Sequence, residues 1–294
     1  MCFQNSQMEI SEEELIDKMV ALHDPNGKQK ESQMINKNGN DYKLPTEKTV
    51  PEENLKKYLI MIYGRPGVGK TTLASQFEDP FFISTEPGAK SLALYKEDVT
   101  NWRMFKDIVQ ALKRESRFQT VVIDTLAIAY DMCLRQVSRD NDVEHPSELA
   151  YGKGWVAVDT EFNKQLHELS ATGRGVILLS HSDDKDVEQF DGTFKSMTAP
   201  DLSKQAMRFI DRSVDLLAYY FYSRKGQRKI RIQATDEIVA KNRIKGHFQG
   251  VSVFNAGNSE EEAYKNLVDS FHNRLQKEET EIKPKSKFSL TIKK

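Results

Sequence analysis

The chain has 294 residues, with 43 Lys and Arg against 44 Asp and Glu, a formal net charge of -1 and 38% hydrophobic residues. That balance gives no global basic field to hold nucleic acid, so any such contact has to come from a local patch. The composition is polar for one packed domain but lacks the high net charge of a disordered chain, which points to a core of roughly 200 residues with solvated ends. Cys2 and Cys133 are the two cysteines, too few for a disulfide framework or a structural zinc site. No apolar run approaches the roughly 20 residues that span a bilayer. The start, MCFQNSQMEI, lacks the basic and apolar regions of a signal peptide. A soluble, cytoplasmic protein with no membrane partner is expected.

In chain order, Ser11 and Glu14 form a capping box, and Leu15, Ile16, Met19, Val20 and Leu22 share a face, predicting an N-terminal helix within residues 1–22. Residues 23–56 turn to Asn, Lys, Glu, Gly and Pro and read as a flexible linker. From Tyr58 the texture changes. YLIMIY (58–63), FFIS (81–84), TVVID (120–124) and GVILLS (175–180) look like strands buried on both faces of a parallel sheet. Trp102, Phe105, Ile108, Val109 and Leu112 fall at helical spacing between them, as do Phe162, Leu166 and Leu169. VDLLAYYFY (214–222) and KIRIQA (229–234) flank the turn SRKGQR as a late β-hairpin, and Tyr264, Leu267, Val268, Phe271 and Leu275 mark a last helix. The fold expected is α/β with a mostly parallel central sheet, a late β-hairpin and a C-terminal helix. Its core runs over 57–255, followed by a C-terminal helix over 256–277 and a basic tail over 278–294.

The segment Gly64, Arg65, Pro66, Gly67, Val68, Gly69, Lys70, Thr71, Thr72 fits G-x-x-x-x-G-K-[ST] between a predicted strand and a predicted helix. Glycines let the backbone wrap with its N–H groups turned toward phosphate oxygens; Lys70 reaches the β/γ-phosphates and the Thr71 hydroxyl coordinates Mg²⁺. ATP and Mg²⁺ are therefore the expected cofactors. Asp124 closes the TVVID strand, on the ligand-binding edge of an open α/β sheet. There it either holds the Mg²⁺ hydration shell or caps the following helix. His181 ends the last core strand, where it either senses the γ-phosphate or is an ordinary strand-end histidine.

Taken together, GRPGVGKTT, FFISTE, VVIDT, VILLSH and IVAKNR, in that order, resemble the RecA-type recombinase core. More narrowly, they resemble the short core-only RecA-like proteins of bacteriophages, nucleotide-binding or single-strand annealing proteins to which EHPSELAYGKGW (144–155) is also similar. The resemblance covers roughly residues 56–255. It implies that Glu86, just after the FFIS strand, orients and deprotonates the attacking water. It also implies that Lys241 and Arg243, in K-N-R, reach the nucleotide of a neighbouring subunit, which makes a homo-oligomer, ring or filament, the expected assembly. A solvated loop carboxylate and a basic edge strand are the plain alternatives for these positions.

Family members hold single-stranded DNA on two loops, and here both matching segments are acidic. Residues 182–196 carry five acids against two lysines, and residues 138–154 four acids against two cations. Phe190 and Phe194 offer either stacking surfaces for bases or packing onto the domain. Positive charge gathers instead between Arg224 and Lys245, eight cations against two acids, so Arg224, Lys225, Arg228, Lys229 and Arg231 are the expected DNA contacts. The function expected is an ATP-dependent recombination factor that assembles on single-stranded DNA and promotes annealing or strand pairing, with a single-stranded DNA-binding protein as a further expected partner. A hexameric helicase or translocase, and a nucleotide-gated scaffold or loader, are the alternatives.

Overall fold

Alternation along the apolar runs decides which side chain enters which layer. In the computed structural model, which describes residues 44–188 and 192–275, strand β1 (Leu59–Tyr63) sends Met61 and Tyr63 to one face and Ile60 and Ile62 to the other. The neighbouring strands β2 (Pro80–Ser84), β4 (Thr120–Asp124) and β5 (Gly175–Ser180) split in the same way, with Ile83, Ile123 and Leu178 facing Met61's layer. Both faces are thus apolar, as a sheet covered by helices on each side requires.

One layer is built from helices α2 (Trp102–Leu112), α3 (Leu126–Asp140), α4 (Lys153–Ser170) and α5 (Lys204–Ser213). Phe162 of α4, 1% exposed, is its centre. Its ring lies 5.6 Å from Trp102, 5.1 Å from Tyr130 and 5.9 Å from Phe209, one contact to each of the other three helices. The opposite layer holds the short α1 (Lys70–Ala74) and the last helix α6 (Glu260–Phe271). Ser259 caps α6 with its side chain on the Glu262 N–H, and three glutamates in its first turn complement the helix dipole.

The sheet has nine strands in the order β11-β9-β8-β1-β5-β4-β2-β3, with β10 also paired to β8. The six from β8 (Leu216–Tyr222) to β3 (Tyr95–Asp98) run parallel. Strands β9 (Arg228–Arg231) and β10 (Lys241–Asn242) pair antiparallel with β8, and β11 (Val253–Gly257) pairs antiparallel with β9. The first strand of the expected hairpin is therefore an internal strand of the main sheet, lying beside β1. This is the mostly parallel α/β architecture that the apolar runs predict.

Three elements depart from the sequence reading. Strand β3 has one half-buried residue among four, and α5 is a polar helix whose buried residues are Ala206 and Ile210. The acidic segment after His181 is a hairpin rather than a loop, with β6 (Ser182–Glu188) paired antiparallel to β7 (Phe194–Pro200). The chain divides between Pro51 and Glu52, so the end of the expected linker is folded: Leu55 is buried in the layer that holds α6. The helix expected at 1–22, most of the 23–56 linker, Phe190 and the tail over 278–294 lie outside the described residues.

Phe162→Ala is expected to cost about 3–5 kcal/mol, since truncating a buried aromatic removes transfer energy and leaves a cavity. The readout is a lower denaturant midpoint at unchanged slope.

Candidate nucleotide site

Parallel strands deliver whatever follows them to the same sheet edge. The loop from Gly64 to Gly69 follows β1, Glu86 follows β2, Asp124 ends β4 and His181 follows β5. The backbone of the loop meets its special demands with glycine. Gly69 has φ 103° and Gly67 φ 78°, both left-handed and costly for other residues. At Gly64 a Cβ would stand 2.0 Å from the Tyr220 carbonyl oxygen on β8, so no side chain fits between the two strands. Val68 is buried and anchors the loop in the α6 layer, whereas Arg65, Pro66 and Gly67 are exposed.

Lys70 is 6% exposed, and its ammonium donates to the carbonyls of Gly64 (2.8 Å) and Arg65 (3.1 Å). Burial pushes its pKa below the usual lysine value, with Asp124 and Glu86 opposing that shift. Among the described residues its hydrogen-bond partners are neutral carbonyls, so a buried cation faces the loop without a paired anion. A phosphate supplies that anion, and Lys70 fits it.

Thr71 Oγ1 donates to Asp124 Oδ2 at 2.7 Å. Burial raises the Asp124 carboxyl above the ordinary carboxylate range, and the Thr71 hydrogen bond and the Lys70 charge pull it partly back. Two oxygens of the kind Mg²⁺ prefers thus converge beside the loop. Among the described residues no three His, Cys, Asp or Glu side chains gather into a metal site. A hard cation held by one or two protein oxygens, water and phosphate fits this arrangement, and Thr71 and Asp124 are the residues that would hold it.

Glu86 lies one strand over. Its Oε1 accepts from Thr125 Oγ1 at 2.8 Å, and its Oε2 lies 3.2 Å from His181 Nε2. The His181 Nδ1 atom is buried and without a hydrogen-bond partner among the described residues. Glu86 and His181 are each one-third exposed, so the pair borders solvent at the phosphate edge. Sequence reasoning named both but missed the hydroxyl that joins Glu86 to the strand carrying Asp124.

Beside the loop stands hairpin β6–β7, where Asp184 lies 3.9 Å from Arg65. Lys185 is turned inward onto the carbonyls of Leu202 and Pro200, and Lys195 pairs with Asp236. The hairpin's acids are therefore less neutralised than a count of its lysines suggests.

Other residues singled out from the sequence lie elsewhere. Lys241 Nζ donates to the carbonyls of Ile210 and Asp211, and Arg243 donates to those of Asp211 and Arg212. Both cations cap the carboxyl end of α5, where the helix dipole favours them. Only Lys241 and Asn242 form strand β10, so the two cations meet through α5 rather than through strand alternation. Arg243 N–H binds Asp215 O at the amino end of β8, the edge opposite the phosphate loop.

The basic hairpin divides as well. Arg224 and Lys225 are exposed at the turn. Arg228 is held by Tyr222 Oη (3.1 Å), the Asn258 carbonyl and Glu260. Arg231 is half-buried near Tyr63, and Lys229 is also engaged. The expected five-cation DNA surface is thus two exposed residues, two engaged within the fold, and half-buried Arg231, whose Nε has no hydrogen-bond partner among the described residues. No helix among the described residues is long and apolar enough to cross a membrane.

Comparison with known proteins agrees with this geometry. A family profile described as an AAA domain matches residues 56–244, the stretch from the threshold of β1 to just beyond Arg243. The SPbeta prophage-derived uncharacterized protein YorG of Bacillus subtilis (strain 168) is 26% identical over 160 residues, 52% of this chain and 50% of that protein. The chain spans about half the length of that relative. With its phosphate loop, its strand-end Asp124 and its parallel sheet, the chain belongs to the AAA-domain family of P-loop ATPases and has a relative of prophage origin.

Proposed function

We propose that this protein is an ATP-dependent DNA recombination factor that assembles on single-stranded DNA and promotes annealing or strand pairing, completing ATP hydrolysis between subunits. The carrying observation is the division of charge between the two sheet edges. Lys70, Thr71, Asp124, Glu86 and His181 gather at one edge, while Lys241 and Arg243 sit on α5 at the other. A cation placed there cannot serve its own nucleotide, so delivering it to a γ-phosphate takes a second copy, in a ring or a filament.

In this reading, the loop 64–69 and Lys70 bind the phosphates of ATP, and Thr72 follows them on α1. Thr71 and Asp124 hold Mg²⁺, which when bound neutralises charge building on the phosphates. Glu86 accepts a proton from the attacking water; each of its oxygens has a second lone pair free of the bonds described. His181, on the glutamate's other oxygen, responds to the γ-phosphate and passes its presence to hairpin β6–β7. Arg224 and Lys225 are the exposed cations of the β8–β9 turn, and a single-stranded DNA-binding protein is a further partner. The likeness to a prophage-derived protein supports work in the host cytoplasm.

A second reading has its own observation. The acidic hairpin beside the loop repels phosphate, which favours a nucleotide-gated scaffold or loader in phage DNA replication over a hexameric helicase or translocase. Turnover with and without single-stranded DNA separates the motor from the scaffold. DNA is expected to stimulate hydrolysis, and Glu86→Gln to reduce turnover by roughly 10²–10⁴-fold while retaining nucleotide affinity. Nucleotide binding with no stimulation by any single-stranded DNA would favour the scaffold.

Arg243→Ala is expected to lose assembly-dependent turnover by roughly 10³-fold or more and to leave affinity for a fluorescent ATP analogue within about threefold, a factor worth about 0.65 kcal/mol. A melting curve controls for the lost α5 cap. Turnover that still rises with protein concentration in that variant would sink the trans role.

Nucleotide binding should also be bounded by pH on both sides. Mg²⁺ needs ionised Asp124, whose proton is held above the ordinary carboxylate range, so Mg²⁺-dependent affinity falls on acidification earlier than for an exposed aspartate. Phosphate needs charged Lys70, whose proton leaves below the ordinary lysine value, so affinity also falls on the alkaline side. Titrations of the fluorescent analogue from about pH 5 to 10 read both limbs. Chelating Mg²⁺ should abolish the acid limb attributed to Asp124 and keep the alkaline one.

A further inference from the structure

Two threonines to which the sequence reading gives no role stand at the ends of neighbouring strands. Thr85 follows β2 and Thr125 follows β4, immediately after the paired residues Ser84 and Asp124. The Thr85 hydroxyl and N–H together hold the backbone at Asp124 and Thr125. Thr85 Oγ1 donates to the Thr125 carbonyl at 2.9 Å and accepts from the Thr125 N–H at 2.8 Å, while the Thr85 N–H donates to the Asp124 carbonyl at 2.7 Å. Both polar backbone atoms of Thr125 are thus satisfied by one neighbouring hydroxyl. The residue is 1% exposed.

That arrangement leaves the Thr125 hydroxyl with a single described partner, Glu86 Oε1 at 2.8 Å. A carboxylate only accepts, so the hydroxyl donates, and the bond is charge-assisted. We infer that Thr125 is a positioning residue, whose hydroxyl fixes the Glu86 carboxylate in the orientation from which it takes the proton of the attacking water. The inference rests on Glu86 being that proton acceptor, as proposed above.

A glutamate has three side-chain torsions, and one that is a third exposed has little packing to select among them. His181 alone holds one oxygen through a ring that can itself swing. The Thr125 tether adds a second fixed point on a backbone that β2 and β4 jointly hold. An anchor on each oxygen fixes the O–O axis of the carboxylate and, with its bond to the side chain, the carboxylate plane; a single anchor does not. The same β4 strand end carries Asp124, so the tether also sets the glutamate relative to the residue that faces Thr71. Misplacement of a reacting group by about 1 Å can cost on the order of 10²-fold in rate.

The test is a double-mutant cycle in ATP hydrolysis by the full chain. Thr125→Val keeps the side-chain shape and both backbone bonds but removes the donor. It is expected to lower kcat about 10–100-fold with KM and fluorescent-nucleotide affinity within about threefold, and Thr125→Ser is expected to restore kcat. In a Glu86→Gln background, Thr125→Val should cause no further loss, because the hydroxyl acts only through the glutamate. Thr125→Ala serves in place of valine if the valine variant does not fold.

An unchanged kcat in Thr125→Val, beside a crippled Glu86→Gln, would overturn the inference and leave the glutamate's role standing. Equal losses in both backgrounds would overturn it too, by showing that the hydroxyl acts elsewhere. Full turnover by Glu86→Gln alone removes the glutamate's role, and this one with it.

Discussion

Strand direction is the constraint on which the rest of this protein depends. A strand entering a sheet parallel to its neighbours ends at the same edge they do, so residues separated by 117 positions, Gly64 and His181, come to border one site. Antiparallel strands would have scattered the same residues over two edges. The requirement is expensive, because parallel strands need helical crossovers and both sheet faces must then be apolar. Phe162 with its three aromatic partners on one face, and α6 against α1 on the other, meet that need. The phosphate loop is held by buried Val68 and by Lys70's bonds to the Gly64 and Arg65 carbonyls, and it is set between β1 and β8.

Legibility followed burial. The four apolar runs that are central strands announced themselves, because a strand covered on both faces has no room for polar interruption. Edge strand β3, reading YKED, carries no such signature because it faces solvent on most sides. Hairpin β6–β7 escaped notice for a related reason. Its two strands pair with each other rather than with the main sheet, so SDDKDVE has no core to alternate against. Helix α5 buries little, and its pattern is correspondingly faint.

At the site, single-residue chemistry was readable and partnership was not. Lys70, Thr71, Asp124, Glu86 and His181 could each be named from residue type and strand position, yet the bond from Thr125 to Glu86 depends on which two strands are neighbours. A threonine after each of two strands, in STE and IDT, is the trace that pairing leaves in the sequence. Charge counts proved the weaker guide. Arg228 looked available for DNA until its ring, carbonyl and carboxylate partners were seen, and Lys241 and Arg243 turned out to terminate a helix that the sequence had concealed.

Tyr63 gives the edge a mechanical character. It is the last residue of β1, directly ahead of the phosphate loop, and is wholly buried. Its hydroxyl donates toward the Val239 and Thr198 carbonyls, two residues before Lys241 and within hairpin β6–β7 respectively. Thr198 and Val239 are in turn joined to each other through their backbones. The strand bearing the loop, the acidic hairpin and the approach to the distant cations are therefore yoked at one phenol. β1 has no position along its axis that does not also set the hairpin and the 239–241 segment, because one phenol bonds to both.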